Sequence, residues 1–247
     1  MTAKEETKDV QTAGDIAYHH LRKSIVELQI KPGQVININE LGEFLKVSRS
    51  PIRDALIHLA NDGLVTTTPQ KSTIVSKIDI QRANDERFMR ACIEGRVLAE
   101  FAKVYRTSHM DTLTEILGNQ KRMMDVQDTR GFLRTDDAFH SVFFQATNHP
   151  FSLDTVLNMS GHYLRIRLLS LVEADIREKT YEQHHELLRM LQDKSQTNFQ
   201  DIVDLHIYKK QDEEIRMARK YPDLFTGIEE IDSFKNKIWE EDFLKTI

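Results

Sequence analysis

Apolar residues recur at three- and four-residue spacing along most of the chain, and one short stretch of β-branched residues interrupts them. The spacing predicts a helix over 16–28, with Ala17, Leu21, Ile25 and Leu28 on one face. Lys31-Pro32-Gly33 ends it in a turn, because proline cannot continue a helix and glycine frees the backbone. Asn39 is a candidate N-cap for a short helix over 40–45, and Ser48 caps another over 50–62. In the latter, Ile52, Ala55, Leu56 and Leu59 face inward, Pro51 sits harmlessly in the first turn, and Gly63 closes the end. Residues 64–68 and 73–76, joined by Pro69-Gln70-Lys71-Ser72, read as a two-stranded hairpin.

Beyond Asp79 the strand signals stop, and helical stretches follow at 81–105, 109–127, 131–147, 152–173, 178–193 and 198–219. Tyr221-Pro222-Asp223 breaks the pattern, and Phe234, Trp239 and Phe243 suggest one more helix in an acidic C-terminal segment. The expected fold class is therefore mainly α: an N-terminal winged helix-turn-helix with a small β hairpin, then an all-α bundle. The boundaries read as a polar tail over 1–13, a first domain over 14–78, a helical domain over 79–221 and an extension over 222–247.

Composition changes this picture in three places. Cys92 is the only cysteine, which rules out an intramolecular disulfide and a thiolate zinc cluster and fits a reducing cytoplasm. The expectation is of no signal peptide and no membrane span, since no apolar run approaches about 18 residues. The net charge of −5 argues against a nucleic-acid binder until it is divided along the chain. Residues 14–78 hold eight Lys/Arg against six Asp/Glu, whereas 79–247 hold 24 against 30.

In a helix-turn-helix the second helix enters the major groove N-terminus first. Here that end carries Ser48, Arg49 and Ser50, with Arg53 one turn on along the same face. Arginine is the best-matched donor fork for guanine edges and phosphate, and serines with free N–H groups at a helix start can hold a phosphate. Lys71, at the hairpin tip, is placed to reach the DNA backbone or minor groove. A capping serine and two solvated arginines are the plainer reading of the same string.

The whole segment decides between them. Leu21, Ile25, Pro32-Gly33, Leu41, Leu45, Val47 through Leu56, Leu59, Gly63-Leu64-Val65, Pro69 and Val75 together resemble the N-terminal domain of the GntR superfamily of bacterial regulators. One departure is Ser72 after Lys71, where the family usually has glycine in the wing turn. The resemblance implies a DNA-binding transcriptional regulator, most simply a repressor, acting as a homodimer on double-stranded operator DNA.

The helical part carries candidate metal ligands. Asp136 and His140 stand four apart on one helix face, His184 or His185 opens another helix, and His206 lies on the last long one. Imidazole and carboxylate suit zinc, nickel, manganese or iron, although an Asp-His pair at this spacing is also a common surface pair. Arg90-Ala91-Cys92-Ile93-Glu94, Asp136-Asp137-Ala138-Phe139-His140, Asn148-His149-Pro150, His184 with Leu187-Leu188, and His206-Ile207 resemble motifs of the FCD domain of the FadR subfamily. Aligning the leucines selects His184 over His185. The resemblance implies a divalent transition metal on Asp136, His140, His184 and His206, zinc foremost, with nickel or manganese as alternatives. It also implies a small-molecule effector, a carboxylate such as an organic or sugar acid, bound by the metal and by Arg90. Arg165, with Arg167 and His162 as further candidates, is the other arginine expected at the effector site.

Two other functional classes share these residues. The metal itself is the signal in one; in the other, three histidines and a carboxylate activate water in a metalloenzyme. No separate acid/base residue stands at a recognisable spacing for the second, and an enzyme has no use for the N-terminal module.

Overall fold

The computed structural model describes residues 12–68, 72–159, 161–193, 199–207 and 211–228. The chain divides into two compact units, 1–76 and 77–247. Lys71, the wing-tip candidate, and the aromatic residues after 228 lie outside the described residues.

The first unit begins with α1 (Ala13–Val26), whose start is fixed by a reciprocal capping box: the Asp15 N–H donates to Thr12 Oγ1 and the Thr12 N–H to Asp15 Oδ2. The helix ends at Val26 rather than Leu28, which takes a left-handed φ of 55° in the exit turn. Strand β1 (Val35–Ile36) follows, then α2 (Ile38–Leu45) and α3 (Arg49–Asn61). Asn37, not Asn39, caps α2, accepting from the N–H groups of Asn39 and Glu40. The expected cap thus lay two residues late, because two asparagines flank Ile38 and periodicity alone does not choose between them. Strands β2 (Val65–Thr68) and β3 (Ser72–Val75) form the wing, pairing Val65 with Val75 and Thr68 with Ser72. The sheet has three strands, not two, since β1 adds to the far edge of β3 through Val35 and Ile74. Ala17, Leu21, Ile25, Ile52, Leu56, Leu59 and Val75 make the core.

In the second unit β4 (Ile78–Asp79) leads into α4 (Ile80–Val104), followed by α5 (Thr107–Asp125), α6 (Thr129–Ala146), α7 (Pro150–Met159), α8 (Gly161–Ser170), α9 (Ala174–Asp193), α10 (Phe199–His206) and α11 (Gln211–Lys220). Helix α4 is the spine, packed by α6, α7, α8 and α10, while α5 lies against α6 and α9, and α11 against α8. Two stretches expected as single helices are divided: 152–173 becomes α7 and α8, and 198–219 becomes α10 and α11. A short parallel pair that periodicity did not signal, β4 with β5 (Phe225–Thr226), follows the 3-10 turn at Pro222–Leu224. Two residues per strand are too few to leave an alternating pattern.

Helix α8 is buried on every side, including His162, Arg165 and Arg167, which explains why its sequence lacks an amphipathic stripe. The core beside it is aromatic. The Phe101 and Phe143 rings lie 4.9 Å apart, and Phe139 meets Phe143 edge-on at 5.4 Å. Because Phe101 is fully buried in this cluster, Phe101→Ala is expected to cost the helical unit about 3–5 kcal/mol. Urea unfolding checks this, and a loss below about 1 kcal/mol would contradict the packing described.

Candidate metal centre and nucleic-acid interface

In the first unit the N-terminal turn of α3 is open to solvent. Ser48, Arg49, Ser50 and Arg53 are all exposed, whereas Ile52, Ala55 and Leu56 on the opposite face are buried. Arg49 and Arg53 border a groove whose other walls are Asn37 and Asn39, at the start of α2, and Thr67 and Thr68 of the wing. Ser48 occupies the N-cap position, yet its hydroxyl makes no capping bond. That leaves the α3 N-terminus with donor groups pointing outward.

In the second unit Asp136, His140, His184 and His206 come together, all buried, with one ligand atom of each within 4.8 Å of the others. Helix α6 supplies the first two from successive turns, α9 the third and α10 the fourth. His140 Nε2 and His184 Nε2 each lie 3.1 Å from His206 Nε2. Asp136 places Oδ2 3.8 Å from His140 Nε2 and Oδ1 3.6 Å from His184 Nε2. Separations of this size are edge lengths for ligand atoms around an ion held at about 2.0–2.2 Å. His185 is exposed and stacks edge-on against Tyr181, so the geometry separates the two adjacent histidines.

The other ring nitrogen of each histidine faces an acceptor. His184 Nδ1 lies 2.9 Å from Gln120 Oε1, and His206 Nδ1 lies 3.0 Å from Gln183 Oε1. His140 Nδ1 sits 2.6 Å from Glu94 Oε2, a close contact without hydrogen-bond alignment. Acceptors outside favour the tautomer with the proton on Nδ1 and an Nε2 lone pair turned inward. Three converging lone pairs repel one another unless a cation lies between them, so the donor set fits a divalent transition metal. Gln120 reinforces this reading, for it is fully buried and spends its Oε1 on His184 although its Nε2 has no hydrogen-bond partner. Phe139 stacks on the His184 ring at 4.3 Å and fixes its plane.

Buried arginines hold the acids in place. Arg167 Nη2 donates to Asp136 Oδ2, and its Nη1 reaches Asp137 Oδ1 at 2.8 Å. Burial alone pushes the Asp136 carboxyl up, but the Arg167 guanidinium foremost outweighs it and holds it well below the usual range. Burial likewise works against Glu94, which Arg90 and His140 nevertheless hold at about 2. Arg90 is spent on Glu94 at 2.6 Å and shares Asp137 with Arg167 at 3.7 Å.

A cavity of about 20 Å3, room for about one water, lies beside Asp136. Its polar lining is Arg167, Tyr163, Ser170, Glu213 and Glu214. Arg165 instead donates from Nε to Gly161 O and lies 3.1 Å from His162 Nδ1. Burial lowers its pKa to about 10, with Glu86 opposing. His162 accepts from the Asp79 N–H and stands outside the ligand set. Sequence reasoning did not single out Glu94, Gln120 or Gln183 as ring partners. Glu94, one turn after Arg90, was within reach of helical spacing; the two glutamines carried no signal, because their roles depend on helix packing.

A model of the gntR family of bacterial regulatory proteins matches residues 14–75, and one of the FCD domain matches 87–209. The chain is 27% identical over 220 residues to the HTH-type transcriptional repressor RspR of Escherichia coli strain K12, spanning 89% of this chain and 96% of that protein. It is 27% identical over 194 residues to the Nta operon transcriptional regulator of Aminobacter aminovorans, 78% of this chain and 90% of that one. Among solved structures, E. coli McbR/YncC superposes with a TM-score of 0.69 at 16% identity, covering 86% of this chain and all of that one, a likeness of fold. Among the described residues no helix is long and apolar enough to cross a membrane. The chain belongs to the gntR family of bacterial transcriptional regulators, with an FCD domain following its DNA-binding domain.

Proposed function

We propose that this regulator binds a two-fold operator as a homodimer, and that a carboxylate effector anchored at a metal centre in the helical unit controls that binding. The inward convergence of three Nε2 atoms onto Asp136 is the observation that supports the metal. Asp136, His140, His184 and His206 would hold a divalent ion, zinc foremost and nickel or manganese as alternatives. Bound there, the ion supplies positive charge for a ligand oxygen. The chain's own groups do the rest. Arg167 faces the cavity next to Asp136 and offers its guanidinium to a carboxylate, with Arg90 behind it through Asp137. Arg165, turned toward Gly161 and His162, acts on the effector only through α8. A coupling of about 1–3 kcal/mol between effector and operator is enough for a useful switch.

On DNA, Arg49 and Arg53 reach base edges or phosphates from α3, while Ser48, Ser50 and the free N–H groups of the helix start hold a phosphate. Lys71, which lies outside the described residues, is proposed from the sequence to contact the backbone or minor groove. A two-fold operator follows because one recognition helix reads too few base pairs for specificity in a genome.

One observation favours a second reading, in which metal alone is the signal: the cavity beside Asp136 holds only about one water. Titrating operator affinity against free zinc in the absence of any organic acid separates the two. A response within the physiological range supports the metal as signal, and tight, constant occupancy supports the metal as anchor.

Two outcomes are expected. The purified protein carries about one transition-metal ion per chain by elemental analysis, and both His140→Ala and His184→Ala lose it. Absence of metal in the parent after reconstitution with zinc, nickel and manganese would overturn the site. Arg49→Ala and Arg53→Ala each weaken operator binding by about 1–3 kcal/mol while the thermal melt stays unchanged. Unaltered affinity in both would overturn α3 as the recognition helix.

A further inference from the structure

One wall of the cavity beside Asp136 is less buried than the others and is the candidate mouth. Among its lining residues, Asp136, Tyr163, Arg167 and Glu214 are each at most 7% exposed, whereas the Glu213 side chain on α11 is 15% exposed. Glu213 Oε2 is buried without a hydrogen-bond partner, while Oε1 reaches Lys179 Nζ at 3.5 Å. Lys179 is itself 62% exposed, so that ion pair stands on the solvent side. Behind Glu213, Glu214 pairs with Arg87 at 2.8 Å. A water-sized space cannot admit an organic ligand unless a wall yields, and the wall that meets solvent is the one bearing Glu213.

Charge decides what that mouth accepts. Around the site the guanidiniums of Arg87, Arg90 and Arg167 face five carboxylates, those of Glu94, Asp136, Asp137, Glu213 and Glu214. With the Lys179 ammonium on the solvent side counted, a divalent cation on the histidine cluster leaves one positive charge to spare, which a single ligand carboxylate balances. A ligand with one carboxylate directed at Arg167 then leaves its far end against Glu213, whose buried oxygen lacks a donor. A second carboxylate there meets like charge in a poorly solvated place, which is strongly unfavourable.

We infer that Glu213 is a specificity-determining residue at the mouth of the effector cavity, selecting a monocarboxylate with a hydrogen-bond donor, ammonium or hydroxyl, at its far end and rejecting di- and tricarboxylates. The inference rests on the carboxylate reading above and deepens it. Glu213 Oε2 accepts from the donor of the bound ligand and thereby gains the partner it lacks in the closed cavity. Ligands without a donor leave that oxygen buried and unpaired, and so gain less.

Calorimetric titration of the full-length, zinc-loaded protein tests it with matched probes: butyrate, 4-hydroxybutyrate, 4-aminobutyrate and succinate, together with their three- and five-carbon counterparts. At the chain length that binds best, one donor-bearing acid is expected to bind at least about tenfold tighter than the unsubstituted acid and the dicarboxylate. In Glu213→Gln the gap to the dicarboxylate should close by about the same factor. Ammonium and hydroxyl are told apart by this variant: preference for the first falls with the charge, and preference for the second persists because the glutamine oxygen still accepts. Should Glu213→Gln fail to fold, the ranking in the parent protein decides alone. Succinate or its homologues binding as well as the donor-bearing acids, or a gap unchanged in the variant, overturns the inference and leaves the carboxylate reading standing. Binding of no probe at any length overturns that reading and this inference with it.

Discussion

Three imidazole nitrogens converge beside a buried carboxylate in the helical unit, and much of that unit can be understood as what holds them there. Glu94 on α4, Gln120 on α5 and Gln183 on α9 each face an Nδ1, an arrangement that favours protons outside and lone pairs inward. The rings are then fixed by packing: Phe139 lies flat on His184, and Phe143 and Phe101 continue the aromatic wall. A buried carboxylate beside these rings is itself unfavourable, and Arg167 on the wholly buried helix α8 offsets it by bridging Asp136 and Asp137. Six helices thus converge on one point whose donor set fits a cation.

The same arrangement ties the centre to the entry of the unit. Helix α8 carries Arg167 toward Asp136 in its last turn, and at its first turn the N–H groups of His162 and Tyr163 donate to the buried Glu86 of α4, each at 2.9 Å. His162 Nδ1 also accepts from the Asp79 N–H, at the start of the chain's path into α4. A short, wholly buried helix therefore has one end on the candidate metal ligands and the other on the strand that follows the DNA-binding unit in sequence.

The periodic features were the legible ones. The inward face of α3, the wing hairpin and the four-residue spacing of Asp136 and His140 all follow from side-chain period and short-range chemistry, and the structure carries them; the start of α3 also falls after Ser48, but without the capping bond expected of its hydroxyl. The choice of His184 over His185 needed the family resemblance, since both lie in the same helical turn; burial separates them. What stayed hidden depends on tertiary packing. Gln183 adjoins His184 in sequence yet serves His206, and Gln120 serves His184 from a different helix. Arg167 rather than Arg165 lines the cavity, a distinction set by which side of a fully buried helix faces α6, and no amphipathic stripe marks that side.

The outward acceptors and inward lone pairs are the central claim, and the tautomeric state of the rings in the metal-free protein tests it most directly. Nitrogen-15 NMR of the full chain with labelled histidine distinguishes a protonated Nδ1 from a protonated Nε2. The account predicts that His140, His184 and His206 carry the proton on Nδ1 and that added zinc shifts their three Nε2 resonances together. Protons found on Nε2, with resonances indifferent to zinc, would contradict it.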